Sequence, residues 1–407
     1  MELVDFLFFV EVLVGGLLSG IMYSLVALGL VLIFKASSIF NFAQGALVLF
    51  GALTFVLLTE VAGDFWMWTG WLAIVLAGAS AVMYFLYTAQ QKEHSNIKQF
   101  ADKYLKRVPL FVAAVLLLVL ALFVDGGQNM WRAVFVTMLL FLMLTTAVQS
   151  PKWAIGVLLG LAVVALITDG AVTYRAFAVT LVVVIGLAMA IERIVLRPMV
   201  NQEPIILFMA TIGLNYVIEG VAQGVWDADV HALDIGIPDI PFDVGGVYLS
   251  QFDLYAGLIA AILVTALAIF FQKTRVGRAL RAVADDHQAA LSVGIPLKNI
   301  WAVVWAAAGI VALVAGLMWG SKLGVQFSIS LLAFKALPVI IIGGFTSIPG
   351  AIVGGLIVGA TEKLFEVFVG LPYFGGGTEN WTPYMLGMIF LMFRPQGLFG
   401  EKIIERV

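Results

Sequence analysis

Thirteen apolar runs fill most of this chain: 10–34, 43–62, 68–87, 109–124, 131–148, 153–168, 172–191, 204–223, 253–271, 300–320, 331–343, 349–368 and 382–393. A helix needs about 20 mainly apolar residues, roughly 17–25, to cross the hydrocarbon core of a bilayer. Most of the runs approach or reach that length, whereas 331–343 and 382–393 are short enough to re-enter rather than cross. Every backbone group must be satisfied inside lipid, so a chain built this way folds as helices. The expected fold class is all-α, a polytopic transmembrane helical bundle of about 11–13 spans. One large soluble core is excluded by composition. Of the 407 residues 62% are hydrophobic and 12% charged, whereas soluble domains are nearer half apolar and a quarter charged.

The charges between the runs give an orientation, because short cytoplasmic loops collect Lys and Arg. The 88–108 loop carries Lys92, Lys98, Lys103, Lys106 and Arg107, and the 272–299 loop carries Lys273, Arg275, Arg278, Arg281 and Lys298. With Arg193 and Arg197, and with Arg394, Lys402 and Arg406 in the tail, these belong inside. The 224–252 loop has Asp227, Asp229, Asp234, Asp239 and Asp243 and neither Lys nor Arg, so it belongs outside. Thirteen spans with the N-terminus outside satisfy every one of these assignments. The start, Met1 to Asp5, is acidic and lacks the basic region of a cleavable signal, so the first run reads as a retained span.

Most chemistry is excluded. The net charge of -3 gives no reason to expect nucleic acid. There is no cysteine, and His94, His231 and His287 lie far apart, so no metal site is expected. The dipeptide Gly-Lys does not occur, which removes the phosphate-cradling loop of an ATPase, and neither GxSxG nor HExxH is present. No catalytic residue and no cofactor of its own are expected.

Ionisable groups inside apolar runs are costly and therefore candidates for function. They are Lys35, Glu219 and Lys335, each of which could instead snorkel to an interface. Glu362, Lys363 and Glu366 lie within about one helical turn, where opposite charges can pair.

Two polar, small-residue breaks interrupt the apolar pattern. The first runs from Lys35 to Gly45 and contains Asn41, Phe42, Gln44 and Gly45. Asn41 is placed to cap a helix starting at Phe42, whose free N–H groups would suit a carboxylate; a plain capped turn is the alternative. The second, Gly343 to Gly350, contains Gly343, Gly344 and Ser347, with glycines that allow a tight re-entry. Gly16/Gly20, Gly350/Gly354 and Gly355/Gly359 are GxxxG pairs, which permit close helix packing. In the 272–299 loop, Arg278 and Arg281 stand at helical spacing beside a partial apolar face, and Gly294 with Pro296 supplies a stop. This reads as a short amphipathic cytoplasmic helix, suited either to a partner's groove or to the bilayer surface.

Gln288-Ala289-Ala290, with Gly294 four residues after Ala290, resembles the Glu-Ala-Ala loop of ABC importer permeases. The preceding Arg275-Val276-Gly277-Arg278, the Asn41–Gly45 and Gly343–Ala351 breaks, and Ile191–Pro198 resemble the hydrophobic amino acid uptake family, and its LivH type in particular. Gln288 stands where the pattern has Glu, and Gln44 where the family often has His. The likeness covers about 10–60 and 173–400. Three parts are therefore expected: 1–62 as the first part of a permease core, 63–172 as inserted spans with the 88–108 loop, and 173–407 as the rest of the core with a coupling loop at 275–296.

The resemblance implies a transport subunit rather than an enzyme, in a bacterial inner membrane. The expected partners are a second permease subunit (LivM-like, or a second copy), two cytoplasmic ATPase subunits that bind the ATP, a periplasmic solute-binding protein and membrane lipid. Asn41, Phe42, Gln44, Gly45, Gly343, Gly344 and Ser347 would border the translocation pathway. Arg278, Arg281, Asp285, Gln288, Ala289, Ala290 and Gly294 would couple to the ATPases. Solutes of such systems include branched-chain and other amino acids, urea, short amides and aromatic acids; a secondary transporter working without ATPases is the rival class.

Overall fold

The computed structural model describes residues 2–60, 172–199, 202–285, 287–295 and 297–400. Each apolar run within these residues is helical; the four runs between 68 and 168 lie outside them. The helices are α1 (Glu2–Ser37), α2 (Gln44–Glu60), α3 (Val172–Ala190), α4 (Pro204–Trp226), α5 (Gln251–Lys273), α6 (Arg275–Asp285), α7 (His287–Ser292), α8 (Leu297–Leu323), α9 (Leu332–Gly343), α10 (Ile348–Phe365) and α11 (Thr382–Phe393). A π-helical turn, Ile191–Leu196, extends α3, and a second, Glu366–Phe374, extends α10. One feature departs from an all-helical chain. The acidic loop holds a small antiparallel hairpin of β1 (Pro241–Val244) and β2 (Val247–Ser250), turning on Gly245 and Gly246, both at positive φ.

Five described helices are long and apolar enough to cross a bilayer alone: α1, α3 with its extension, α4, α5 and α8. The segments Phe327–Gly343 and Ile348–Phe374 form a pair bent by 112° at the second break. Local sequence starts several of these helices. Ser250 caps α5 by accepting from the Asp253 N–H at 3.1 Å, and Pro204 and Pro383 occupy the first turns of α4 and α11.

Glycines decide how the centre packs. A Cβ on Gly16 would come 2.8 Å from the Gly359 carbonyl, and one on Gly20 would overlap the Gly355 carbonyl. The GxxxG pair of α1 therefore meets the Gly355/Gly359 pair of α10, backbone against backbone. Gly350 and Gly354 lie on the other side of α10, against Gly343 and Val339 of α9. In its most apolar stretch 78% of α1 is buried and 72% of α8, against 22% of α4 and 33% of α5. The first pair is the core, and the second forms the flank.

The two ends of the bundle agree with the charge pattern. At one end Tyr248 N–H donates to Glu11 Oε2 at 3.2 Å, and His231 and Val325 pair through N–H···O bonds of 3.0 and 2.8 Å. This end holds the acidic loop and the start of α1. At the other end Trp301 Nε1 donates to the Ala36 carbonyl at 3.0 Å and Lys35 Nζ to the Thr346 carbonyl at 3.0 Å. This end holds the described basic segments, Arg193 to Arg197 and Lys273 to Arg281. By the charge rule the first is outside and the second inside.

Candidate translocation site and coupling loop

After α1 the chain turns back into the bundle before α2 begins. Ser38 takes a positive φ of 57° at the reversal. Ala36 is level with Trp301, whereas Gln44 Nε2 donates to the Ala308 carbonyl at 3.1 Å, seven residues further along α8. At 1.5 Å per residue that is a climb of about 10 Å. Gly29, seven residues before Ala36, gives the same depth, because a Cβ there would overlap the Gln44 amide. The α2 N-terminus therefore starts well inside the bundle.

Its donors are satisfied by a neighbouring helix, which corrects the expected cap. The helix starts at Gln44 rather than Phe42, and neither Asn41 amide atom finds a partner among the described residues. Instead Thr211 Oγ1 on α4 accepts from the Phe42 N–H at 3.3 Å, and Asn215 Oδ1 accepts from the Ala46 N–H at 3.1 Å. The N–H groups of Gln44 and Gly45 go to the carbonyls of Asn41 and Phe42. Of the N–H groups expected to be free for a carboxylate, those of Phe42, Gln44 and Gly45 are thus engaged within the protein. Asn41 and Gln44 are fully buried and Phe42 nearly so, and Gln44 Oε1 has no described partner. Gly45 has no room for a Cβ against the Ser330 carbonyl.

Thr211, Asn215 and Glu219 form a stripe at i, i+4 and i+8 on α4, of which charge alone marks Glu219 in the sequence. Asn215 Nδ2 donates to Glu219 Oε2 at 3.2 Å, and Ser330 Oγ donates to Glu219 Oε1 at 2.6 Å. The 3-10 turn Phe327–Leu331 is thereby held between α2, at Gly45, and α4, at Glu219. The spacing of the stripe within an apolar run is a signal that could have been read.

The second break closes on itself. Ser347 Oγ caps α10 by accepting from the Gly350 N–H at 3.0 Å, and Pro349 follows in the first turn. A Cβ on Gly343 or on Gly350 would overlap the other's carbonyl. Gly344 has a φ of 106°, a conformation that glycine adopts readily and side chains resist. The tail seals the break, with the N–H groups of Leu398 and Phe399 donating to the carbonyls of Ile342 and Gly343 at 2.8 and 3.1 Å. The two breaks meet at the inner end through Lys35–Thr346 and through the rings of Phe34, Phe40 and Phe345.

The charges of α9 and α10 pair differently from the sequence expectation. Glu362 is 2% exposed. Its Oε1 accepts from Lys335 Nζ of α9 at 3.1 Å and from the Tyr23 hydroxyl of α1 at 3.0 Å. Lys363 pairs with Glu379 at 3.3 Å, and Glu366 accepts from Thr378 and from the Gly377 and Glu379 N–H groups. Glu362, Lys363 and Glu366 form no pair among themselves, because helical spacing also allows each to face a different neighbour.

The amphipathic loop is helical on both sides of position 286, as α6 and α7. Thr274 starts α6, its hydroxyl accepting from the Gly277 N–H at 3.2 Å. Gly277 lies so close to the Phe271 carbonyl that a Cβ cannot fit. Arg281 donates to the carbonyls of Phe271 and Gln272 at 3.1 and 3.4 Å, and Arg278 to that of Lys273 at 3.3 Å. These two arginines thus cap the α5 C-terminus, where cations are favoured. The α7 end forms a Schellman turn, with Ile295 N–H to the Ala290 carbonyl, Gly294 N–H to the Leu291 carbonyl, and Gly294 at a φ of 85°. Ala290 is buried in the permease itself. Ala289 is exposed, as are Leu291 at 54% and Val293 at 80%. The side chains of Asp285 and Gln288 lie outside the described part of the structure. A cleft of about 190 Å³ lies between this corner and the second break, lined by Lys35, Gly277, Arg281, Thr346 and Ser347 among others.

The family model for the branched-chain amino acid transport system permease component matches residues 153–393, beginning inside the 63–172 segment. The chain is 29% identical over 238 residues to the high-affinity branched-chain amino acid transport system permease protein BraD of Pseudomonas aeruginosa, covering 57% of this chain and 76% of that one. It is 26% identical over 228 residues to the corresponding permease protein LivH of Salmonella typhimurium and to that of Escherichia coli, in each case covering 54% of this chain and 71% of the relative. No solved structure matches. With a bent, glycine-packed helical bundle, an amphipathic loop at its basic end and a family match over more than half its length, this multi-pass membrane protein belongs to the branched-chain amino acid transport system permease component family.

Proposed function

We propose that this chain is the permease subunit of a binding-protein-dependent ABC importer in a bacterial inner membrane, carrying branched-chain or other amino acids. It works beside a second permease subunit, LivM-like or a second copy. Two cytoplasmic ATPases bind ATP and drive alternating access, and a periplasmic binding protein delivers solute to the end that carries the acidic 227–250 loop. The breaks at Asn41–Gly45 and Gly343–Ser347 border the route and move with respect to one another. The observation that carries this reading is the α6–α7 loop. It is braced on α5 by Arg278 and Arg281, yet it presents Leu291 and Val293 bare at the basic end of the bundle. An exposed apolar side chain at the end of a short helix, with another in the turn after it, suits a groove on a partner.

The same loop decides which substitution tests the reading. Arg at position 290 would break the permease's own packing, because Ala290 is buried. Leu291→Asp and Val293→Asp change only exposed positions. Each should lower copurification of the ATPase subunits by ~10-fold or more, corresponding to about 1.4 kcal/mol of lost association, while the permease still inserts. Normal ATPase assembly and ATP-dependent uptake in the double variant would overturn the coupling role of this loop.

Residues 63–172 are an insertion in this reading. Gly51 of α2 lies on Val184 of α3, so these helices are neighbours whose near ends, Glu60 and Val172, flank the segment. A short flexible linker in place of the segment should leave the C-terminus cytoplasmic. A C-terminal tag found outside would overturn the assignment.

A further inference from the structure

Glu219 ties α4 to the Phe327–Leu331 turn through its hydrogen bonds, but these do not balance its charge. It lies in α4, fifteen residues after Pro204 and seven before Trp226. A carboxylate inside a span is costly and usually faces a partner or a water-filled path. Four other carboxylates in or beside the helices have a cation, Glu362 with Lys335, Glu192 with Arg197, Asp253 with Lys322 and Glu379 with Lys363, whereas Glu11 and Glu366 towards the helix ends accept from backbone or hydroxyl donors. Among the described residues no cation pairs with Glu219.

The carboxylate is nevertheless fixed. Oε2 accepts from Asn215, and Oε1 lies 2.6 Å from the Ser330 hydroxyl, whose one proton also has the Phe327 carbonyl within reach at 2.8 Å; Asn215 is itself held by the Ala46 N–H and Ser330 by its fit against Gly45. An ionised carboxylate has about four acceptor positions, so two hydrogen bonds leave room for a further donor. Glu219 is half-buried, and Tyr216 and Val217 beside it are exposed at 69% and 61%. The group is thus aimed, short of a positive partner, and open on the flank of the subunit rather than sealed in its core.

We propose that Glu219, with Asn215 and Ser330 as its positioning residues, receives the ammonium group of the solute as it passes between the two permease subunits. The transported class is then amino acids rather than urea, uncharged amides or simple acids. This rests on the importer reading above. A carboxylate held in this way attracts an ammonium both by charge and by hydrogen bonding, and an uncharged amide gains only the second.

The test is ATP-driven uptake by the assembled importer, with its ATPases and binding protein, in proteoliposomes. Leucine, valine, urea and isobutyramide are offered to wild-type, Glu219→Gln and Glu219→Asp proteins. Copurification of the subunits and thermal unfolding serve as structural controls. Gln keeps the shape of the side chain and removes its charge. The expected result is amino acid uptake by the wild type, a loss of ~10-fold or more in Glu219→Gln, corresponding to about 1.4 kcal/mol, partial uptake in Glu219→Asp, and unchanged controls. Wild-type amino acid uptake in Glu219→Gln would overturn the proposal and leave the importer reading standing. A wild type that moves only urea or isobutyramide would overturn the proposal and the amino acid part of the importer reading, leaving ATP-driven import standing. A joint fall in uptake, assembly and unfolding temperature would make Glu219 a structural tie and also overturn the proposal. Absence of ATP-driven uptake of every solute would defeat the importer reading and the proposal with it.

Discussion

The two helix breaks are both short, polar and glycine-bearing, yet they are closed in opposite ways. The Gly343–Ser347 break is closed chiefly by its own atoms, a serine cap three residues from its partner N–H and two glycines clasped together, with Lys35 and the tail residues Leu398 and Phe399 adding to them. The Ser38–Gln44 break is closed by others. Thr211 and Asn215, more than 160 residues away in the chain, supply the acceptors for its N–H groups. It also keeps the buried amide of Asn41 and the buried oxygen of Gln44 without a described partner. A self-closed break behaves as a rigid elbow. A break closed by a neighbour changes whenever that neighbour moves, which suits a part that must rearrange during transport.

The contrast is testable by substitution, and the largest effect belongs to the elbow. Gly350→Val places a side chain where the Gly343 carbonyl stands, a backbone overlap that no rotamer relieves. It should cost about 3 kcal/mol or more, read as a lowered unfolding temperature in detergent and loss of the monodisperse protein. A well-folded Gly350→Val protein would show that the elbow yields.

At the first break the intermediate effect comes from the neighbour. Thr211→Val preserves shape and leaves the Phe42 N–H buried without its acceptor, at a cost of about 1–3 kcal/mol. Thermal unfolding measures it, and no change would mean that α4 does not hold this break together.

Asn41→Leu separates stability from function more sharply. It removes two buried polar atoms without described partners, so stability should rise by about 1 kcal/mol while ATP-driven uptake falls. A side chain kept at the expense of stability is expected where a site serves function. Unchanged uptake kinetics would take Asn41 out of the route.

Ser347→Ala should have the smallest effect. It removes one cap of α10, worth about 1 kcal/mol, from a break held by several other contacts. Unfolding should shift by a few degrees and uptake should stay within about twofold of wild type. A loss of uptake as large as that in Asn41→Leu would erase the difference between the two breaks.

Much of this molecule was legible from local sequence because the signals act locally. Run length marked the helices, and each run among the described residues is helical. The Ser347-Ile348-Pro349-Gly350 stretch carries its own cap, and Gly294 carries its own αL turn. GxxxG spacing marked the close packing. It could not say that Gly16/Gly20 meets Gly355/Gly359 while Gly350/Gly354 meets α9, because a glycine face does not name its partner. Arg278 and Arg281 read as charges for an ATPase; their first task is to cap α5, since a guanidinium satisfies whichever carbonyls the fold brings within reach.

By itself, then, the sequence determined what helix geometry enforces on any segment: which of the described stretches are apolar helices, and where the chain breaks between them. These follow from solvation and from contacts within a few residues. Only the tertiary structure decided which polar groups are satisfied. Lys335 is tied to Glu362 and Tyr23, Asn41 is left buried, Ala290 is turned inward with Leu291 and Val293 bare, and Glu219 is fixed by two donors without a described cation. The physical reason is that a buried charge or amide is stabilised by partners brought from distant parts of the chain. Periodicity along the sequence describes the face on which a group lies, but not what will be packed against it.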